Sequence, residues 1–523
     1  MDWMQLIVAA AVIVFLLLKY SRKEMDRIRK KGIRCTNPLP LLGDSLPILL
    51  KRIDALKYNI GLYDRFKGDR LCGIQMFGKP SIMVRDPELL RYIMVKDADH
   101  FINRFNWTNN SDVFLSKNLS LLQDEQWRNL RIVMTTIFTA AKMKDMFKFM
   151  EICSEQAVKN MALRLEEQMS NKGPSSNVLE LEMKDYFSRY GTDVIASTAF
   201  GLEVDSFKNP NNEFYETGMI LRNAFTSFPF FKMMFITWFP SLAKLLNITF
   251  FGKKVNDFFI STVSETIRNR EKYNIVRKDV IHILTEARKG KIDTENQTEL
   301  GKAKLPHFTD IDIAAQAMSF FFGGFDIMAT ALSFVCYEMA ANPDIQERLY
   351  EDIEQVIEKN GGVTYDGVMH QMEYLDMVVK EVLRKWPPAI VTDRACSKAY
   401  TIPKTEDSPE VTLERGDIIM IPIVAFHRDP ENYPDPEKFD PERFRDEKNT
   451  IKPFTYLPFG AGLRHCIALR YAAMEMKVAL IHLIRTFQMV PTEKTLIPLK
   501  LSKNTGFMLQ PENGFWIGLK LRA

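Results

Sequence analysis

A cysteine near the C-terminal end stands in the segment Phe459-Gly-Ala-Gly462-Leu-Arg464-His-Cys466-Ile-Ala468, directly ahead of an amphipathic run through Phe487. A sulfur placed where a helix begins meets unpaired N–H groups and positive partial charge, which favour thiolate over thiol. A thiolate can hold a metal, but no partner Cys or His stands at the spacing of a tetrahedral zinc site. A porphyrin brings four nitrogens of its own and needs one axial atom from the protein, so haem iron suits Cys466. Gly460 and Gly462 also open a dinucleotide-type pattern. Position 465 is His where the third glycine belongs, and the companion strand pattern is weak, which sets that reading aside. The remaining cysteines, Cys35, Cys72, Cys153, Cys336 and Cys396, stand far apart with no C-x-x-C pair and read as small buried hydrophobes in a reducing compartment.

Three further groups could serve such a centre. Glu381 and Arg384 share one face of a helix that Trp386-Pro387-Pro388 ends. Trp127 and Arg131 are one helical turn apart, a spacing that an ordinary amphipathic helix also produces. Gly323-Gly324 interrupts a long apolar helix that Thr309 or Asp310 caps and Asn342-Pro343 stops. Each glycine costs that helix ~1 kcal/mol relative to alanine, so either something approaches the backbone there or another helix packs tightly on it.

The elements that must position these residues follow from composition and periodicity. With 523 residues, 46% hydrophobic and 26% charged, the chain buries a large core, and a net charge of +4 gives no drive toward a polynucleotide. The uncharged run from Trp3 to Leu18 falls just short of the ~17 to 25 residues of a membrane span, and Lys19 and Tyr20 can extend it by snorkelling. Lys19, Arg22, Lys23, Arg27, Arg29, Lys30, Lys31 and Arg34 follow it, which places that side in the cytosol and the N-terminus in the lumen. The charges come after the apolar run and no small-residue cleavage site closes it, so an uncleaved anchor is preferred to a signal peptide. Residues 1–20 read as anchor, 21–37 as a basic linker, and 38–523 as one catalytic domain beginning at the proline-stiffened Pro38-Leu-Pro40 segment. The sequons at Asn106, Asn109, Asn118, Asn247 and Asn296 then lie on the cytosolic side, unmodified. Helical patterns dominate residues 124–288, β-like runs are short (80–84, 418–423, 515–521), and residues 289–304 read as an exposed connection. The fold class is mainly α with small β-sheets.

The chain resembles the cytochrome P-450 superfamily. The family's F-x-x-G-x-R-x-C-x-G pattern is met at Phe459, Gly462, Arg464 and Cys466, with Ala468 in place of the last glycine. Its E-x-x-R motif matches Glu381 and Arg384, P-E-R-F matches the segment of Arg443, and W-x-x-x-R matches Trp127 and Arg131. The resemblance is greatest to insect detoxification enzymes of the clan shared with vertebrate liver drug oxidisers. It implies a single large haem domain with haem b, Cys466 as iron ligand, and a structural network of Glu381, Arg384 and Arg443 beneath the haem. It also implies propionate contacts from Arg104, Trp127, Arg131, Arg394 and Arg464, with Phe459 and Gly462 shaping the cysteine loop. The family usually carries a threonine where this chain has Ile327, and that hydroxyl helps hand protons to the bound dioxygen. Asp326 remains as a catalytic candidate. Thr330, an ordered water or a substrate hydroxyl is the substitute donor, and looser coupling of electrons to product is the expectation.

By position the resemblance also implies a distal pocket of Phe105, Phe114, Leu121, Phe225, Phe228, Phe321, Phe322, Ile390, Val391, Phe507 and Met508, a lining that suits apolar substrates. The aromatic run 225–251 either dips into the bilayer or packs between helices. No flavin or nicotinamide domain is visible. Electrons are expected from NADPH-cytochrome reductase, with cytochrome b5 as a further donor, docking near Arg128, Lys142 and Lys144. The implied activity is insertion of one atom of dioxygen into lipophilic substrates, chiefly xenobiotics such as plant compounds or insecticides, at the endoplasmic reticulum membrane. Two alternatives stay open: a reductase-independent haem-thiolate isomerase or dehydratase of hydroperoxides, and a non-catalytic haem protein that sequesters hydrophobic ligands.

Overall fold

Short β-branched runs bounded by turns form three small sheets, and the long stretches of helical periodicity form everything around them. The structure, a computed structural model, describes residues 3–39, 42–76, 78–108, 110–226, 230–277, 279–290, 308–406, 408–504 and 508–522. The strands are β1 (Leu71–Met76), β2 (Lys79–Val84), β3 (Leu179–Glu182), β4 (Thr392–Ala395), β5 (Tyr400–Ile402), β6 (Val411–Leu413), β7 (Ile418–Ile421), β8 (Phe487–Val490) and β9 (Trp516–Leu521). They pair in the orders β1-β2-β7-β4, β3-β9-β8 and β5-β6. The first sheet is mixed. Its β2 and β7 run parallel, Ile82 beside Ile419, whereas β4 is antiparallel to β7, Arg394 beside Ile419.

The helices that frame the site are α1 (Trp3–Lys30), α2 (Asp124–Thr135), α3 (Ala140–Lys172), α4 (Met183–Ile195), α5 (Glu213–Thr226), α6 (Lys253–Tyr273), α7 (Asp310–Ala341), α8 (Glu373–Lys385) and α9 (Leu469–Thr486). At the start of α7 a capping box joins Thr309 and Asp312, which satisfies two otherwise orphaned N–H groups. Its middle, Gly323–Met328, widens into a π-type turn, the kind of helix irregularity that collects at functional sites. The helix is apolar enough to cross a membrane, but 72% of that stretch is buried inside the protein, so it is the core helix of the domain. It packs on α4 and α6, with α9 packing on α3.

Residues 21–37 are not the free linker that their charge suggests. Helix α1 runs unbroken to Lys30, with Met25 and Ile28 buried, and its cations find partners on the body. Arg27 lies 2.5 Å from Asp417 and 2.9 Å from Glu414, Lys31 lies 2.8 Å from Asp417, and Arg34 lies 3.1 Å from Asp69. A smaller core forms between this segment and the first sheet, from Ile28 and Ile33 to Ile74, Phe101, Ile419 and Phe426. The sequon Asn118 is buried and its amide donates to the Ala315 carbonyl, so it is closed to modification by burial alone; Asn109 and Asn296 lie outside the described residues.

Candidate functional site

Helix α9 begins at Leu469, three residues beyond Cys466, so the sulfur stands ahead of the helix and not on its first turn. The loop is held by the Cys466 N–H donating to the Phe459 carbonyl at 2.8 Å. Burial pushes the Cys466 thiol up, and the Ala468 N–H, Arg131 and Arg104 pull it back without prevailing. The surrounding field therefore does not by itself favour the thiolate, contrary to what helix proximity suggests. Gly462 has φ +66°, and a Cβ at this position would meet the Met94 carbonyl oxygen at 1.6 Å. Gly462→Ala is expected to cost roughly 1–3 kcal/mol or more, from overpacking plus left-handed strain, and to cut the yield of soluble haem-loaded protein.

Four guanidinium groups converge beside this loop. Arg464 is buried, lies 4.0 Å over the Trp127 ring and donates to the carbonyls of Ile102, Leu119 and Leu122 at 2.6, 3.2 and 2.7 Å. Arg394 is 2% exposed and donates to the carbonyls of Asp393 and Ala461. Arg104 donates to the Arg464 carbonyl, and Arg131 lies 3.3 Å from His465 Nε2. Desolvation, reinforced by their like-charged neighbours, lowers Arg464 to about 8 and Arg394 to about 9. The carboxylate that offsets them is Asp393, whose Oδ2 already accepts the Phe105 N–H at 2.5 Å. A buried cluster so short of negative charge suits a ligand carrying two carboxylates, and together with the thiol of Cys466 the donor set fits haem.

Beneath the cysteine loop, Arg384 of α8 is fully buried and forks onto Glu381, Nε to Oε2 at 2.6 Å and Nη2 to Oε1 at 2.9 Å. Its other hydrogens go to the carbonyls of His427, Pro436 and Lys438. Arg443 Nε lies 3.5 Å from Glu381 Oε1, and the Asp440 N–H donates to the same oxygen at 2.9 Å. His427 completes the set: its Nε2 accepts the Leu457 N–H at 2.8 Å, so its Nδ1 carries the proton and donates to the Arg384 carbonyl at 3.0 Å. Burial, with the adjacent Arg384 charge, lowers it to about 3 and keeps it neutral.

The π turn of the core helix α7 sorts its residues by face. Phe322, Gly323 and Ile327 stay partly exposed, whereas Gly324, Phe325, Asp326, Met328, Ala329 and Thr330 are buried. A Cβ on Gly323 would meet nothing within 4 Å, but one on Gly324 would meet Ile195 of α4 at 2.0 Å. The two glycines therefore divide the two explanations: Gly323 keeps open space beside the backbone, and Gly324 permits tight helix packing. Asp326 turns away from the open face. Its Oδ1 lies 2.7 Å from Arg222 Nε of α5 and 3.1 Å from Lys184 Nζ of α4, and Arg222 also bonds the Ser188 hydroxyl. Burial lowers Lys184, with Asp326 acting against it. Thr330 is 1% exposed and donates its hydroxyl hydrogen to the Asp326 carbonyl at 2.7 Å, so it does not present a free donor to the face that holds Ile327. Lys184 and Ser188 of α4 and Arg222 of α5 carried no signal in the sequence, because they come from helices other than that of Asp326 and no local spacing ties them to it.

The apolar candidates divide similarly. Phe105 and Val391 are partly exposed, while Phe114, Leu121, Ile390 and Met508 are buried at 4, 7, 7 and 6%. Phe321 is fully buried among Phe214, Phe259 and Phe325 and belongs to the core behind the helix, not to a pocket lining. Phe228 and Phe507, and the side chain of Phe225, lie outside the described residues. The surface cations have partners within the chain: Arg128 with Asp99 at 2.7 Å, Lys144 with Asp366 at 3.6 Å, and Lys142 with the Thr136 carbonyl.

The described structure thus holds a loop cysteine beside a cation cluster suited to two carboxylates, a buried Glu-Arg fork and a core helix with an open, apolar face. Comparison with known proteins agrees with that geometry. The family profile described as Cytochrome P450 matches residues 36–517. Cytochrome P450 9e2 of Blattella germanica is 40% identical over 98% of this chain and 97% of its own length. Probable cytochrome P450 9h1 of Drosophila melanogaster is 37% identical over the whole of both chains, and Cytochrome P450 6k1 of Blattella germanica is 36% identical over 96% and 94%. With full-length coverage at these identities the chain belongs to the cytochrome P450 family, and it is a haem-dependent monooxygenase of the oxidoreductase class.

Proposed function

We propose that this monooxygenase oxidises lipophilic xenobiotics, plant compounds or insecticides among them, using haem b and NADPH-derived electrons delivered by cytochrome reductase, with cytochrome b5 as a second donor. The observation that carries the reading is the guanidinium cluster of Arg104, Arg131, Arg394 and Arg464 beside Cys466, which matches the charge of a dicarboxylate porphyrin. Cys466 would hold the iron of the haem, which would supply the activation of dioxygen. The chain's own residues do the rest. Arg464 and Arg394 fix orientation through charge, and Gly323 leaves room beside the helix backbone. Phe322 and Ile327 make the open face apolar, so a lipophilic molecule is held there without stranding polar groups.

A membrane setting, with the N-terminus in the lumen and the catalytic domain in the cytosol at the endoplasmic reticulum, is part of the proposal. Exposed Trp3, Val8, Val12, Phe15 and Leu16 on α1 support it, as does a second apolar surface at Phe239, Leu242, Leu245 and Leu246. Reconstitution with reductase and NADPH is expected to place one labelled oxygen atom from dioxygen in the product, and the reduced protein is expected to show the red-shifted carbon monoxide band of thiolate ligation. Absence of that band, or turnover of a fatty-acid hydroperoxide without NADPH in place of oxygenation, overturns the reading.

Ile327 favours a leaky version of this chemistry. It stands on the open face with no hydroxyl, while Asp326 is tied to Lys184 and Arg222, and Thr330 bonds its own helix. Ile327→Thr is therefore expected to raise product formed per NADPH consumed by roughly twofold or more, since a positioned proton donor accelerates the productive branch. Equal ratios in both proteins would show that protons already arrive by another route.

A further inference from the structure

We propose that α3 and α9 hold a divalent transition-metal site, made by Glu151 and Glu155 of α3 and His482 of α9, separate from the haem centre. The ligand atoms of these three side chains lie within 4.8 Å of one another. Glu151 and Glu155 are four residues apart, so they share a face of α3 that looks toward α9. His482 is 8% exposed, and its Nε2 is buried with no hydrogen-bond partner among the described residues. An imidazole nitrogen in that state leaves a polar atom unsatisfied, a cost that proteins rarely carry without a reason.

The charge balance points the same way. Glu151 and Glu155 are like charges one helical turn apart, so they repel each other, and neither has an ion-pair partner among the described residues. The cation that acts on His482 is Arg485, and it is engaged with Glu354 at 2.5 Å. Two carboxylates and one neutral imidazole are a donor set for zinc or another borderline divalent ion, leaving further positions for water. Metal bonds of ~2.0 to 2.2 Å require the donors to draw together by about an ångström. Glu151 and Glu155 are partly exposed and exposed, with flexible side chains able to make that movement, while the buried His482 provides the fixed point. The thirteen steps from Leu469 to His482 put the site roughly 20 Å along α9 from its start, at ~1.5 Å per residue. A bound ion would therefore brace α3 against α9 without touching Cys466.

The test uses tag-free, haem-loaded, full-length protein and Zn2+ itself. Equilibrium dialysis with metal analysis is expected to find one Zn2+ per chain, bound at least tenfold more weakly by Glu151→Gln, Glu155→Gln and His482→Gln. Added Zn2+ is expected to raise the melting temperature of the wild type only, and to leave the carbon monoxide difference spectrum unchanged. In metal-free buffer both glutamine variants on α3 are expected to melt no lower than the wild type, because each removes a like-charge pair. No stoichiometric uptake, uptake that the variants leave unaltered, a lower metal-free melting temperature in both α3 variants, or uptake that abolishes the thiolate spectrum overturns the assignment.

Discussion

Arg384→Ala is expected to yield no haem-loaded protein. The guanidinium is 0% exposed, and its hydrogens are divided between Glu381 and three backbone carbonyls from the segment that follows β7. Truncation strands the Glu381 carboxylate, itself 0% exposed, with the Asp440 N–H and a long contact to Arg443 as its remaining partners among the described residues. It also leaves the carbonyls of His427, Pro436 and Lys438 without this donor. Breaking a buried ion pair from one side costs ~3 to 5 kcal/mol, a large share of the roughly 5 to 15 kcal/mol by which a folded protein is stable. Haem absorbance per chain and the yield of soluble protein measure the effect. Arg384→Lys is expected to fail almost as badly, because an ammonium cannot reproduce the planar fork onto both oxygens of Glu381. Arg443→Ala should lose much less, since that side chain is 13% exposed and its Nε stands 3.5 Å from the carboxylate. Normal haem loading in Arg384→Ala would show that the network is dispensable.

The contrast between Arg384 and Asp326 explains what could be read from sequence. The Glu381–Arg384 fork is made by two residues on one turn of one helix, so spacing alone puts them together. The same locality makes α7 legible, with its cap at Thr309, its end at Asn342 and its glycine pair. The strands β2, β7 and β9 were likewise marked by their own apolar runs. The partners of Asp326 were not, because Lys184 and Arg222 reach it from α4 and α5 across the tertiary fold. Periodicity also cannot say which face of an almost wholly apolar helix meets a pocket. Phe321 and Phe322 are adjacent and equally aromatic, but one is buried in the aromatic core and the other stays partly exposed. The docking of residues 21–37 on the body was hidden for a related reason: the partners of its basic residues, Asp417 and Glu414, stand nearly four hundred positions away.

Glu475→Gln is expected to stabilise the protein above neutral pH and to change little near pH 5. Glu475 lies on α9, fully buried, and neither carboxyl oxygen has a hydrogen-bond partner among the described residues. The nearby hydroxyls are engaged elsewhere: Tyr190 with Ser154 at 3.1 Å and Tyr471 with Thr198 at 2.9 Å. Desolvation alone raises the carboxyl to about 8. Because the folded value lies above that of the unfolded chain, 4.5, the folded state binds more protons between those limits, and stability is lost as pH rises through the window. The loss amounts to about 1.4 kcal/mol per pH unit as an upper estimate. Glutamine keeps the shape and cannot ionise, so the variant removes the slope. His427 has the opposite sign. Its folded value of about 3 lies below 6.5, so the stability it contributes is complete above 6.5 and falls as pH drops through the window. In the wild type the two slopes oppose each other from pH 4.5 to 6.5, joined by Asp193, which burial raises to about 7, and His482, which burial lowers to about 4; Glu475→Gln removes the Glu475 limb from that sum. Denaturant titrations of the haem-loaded protein at pH 5 and pH 8 measure the difference. Equal stability changes at both values would mean that Glu475 is ionised in the folded protein, with a counter-charge reaching it.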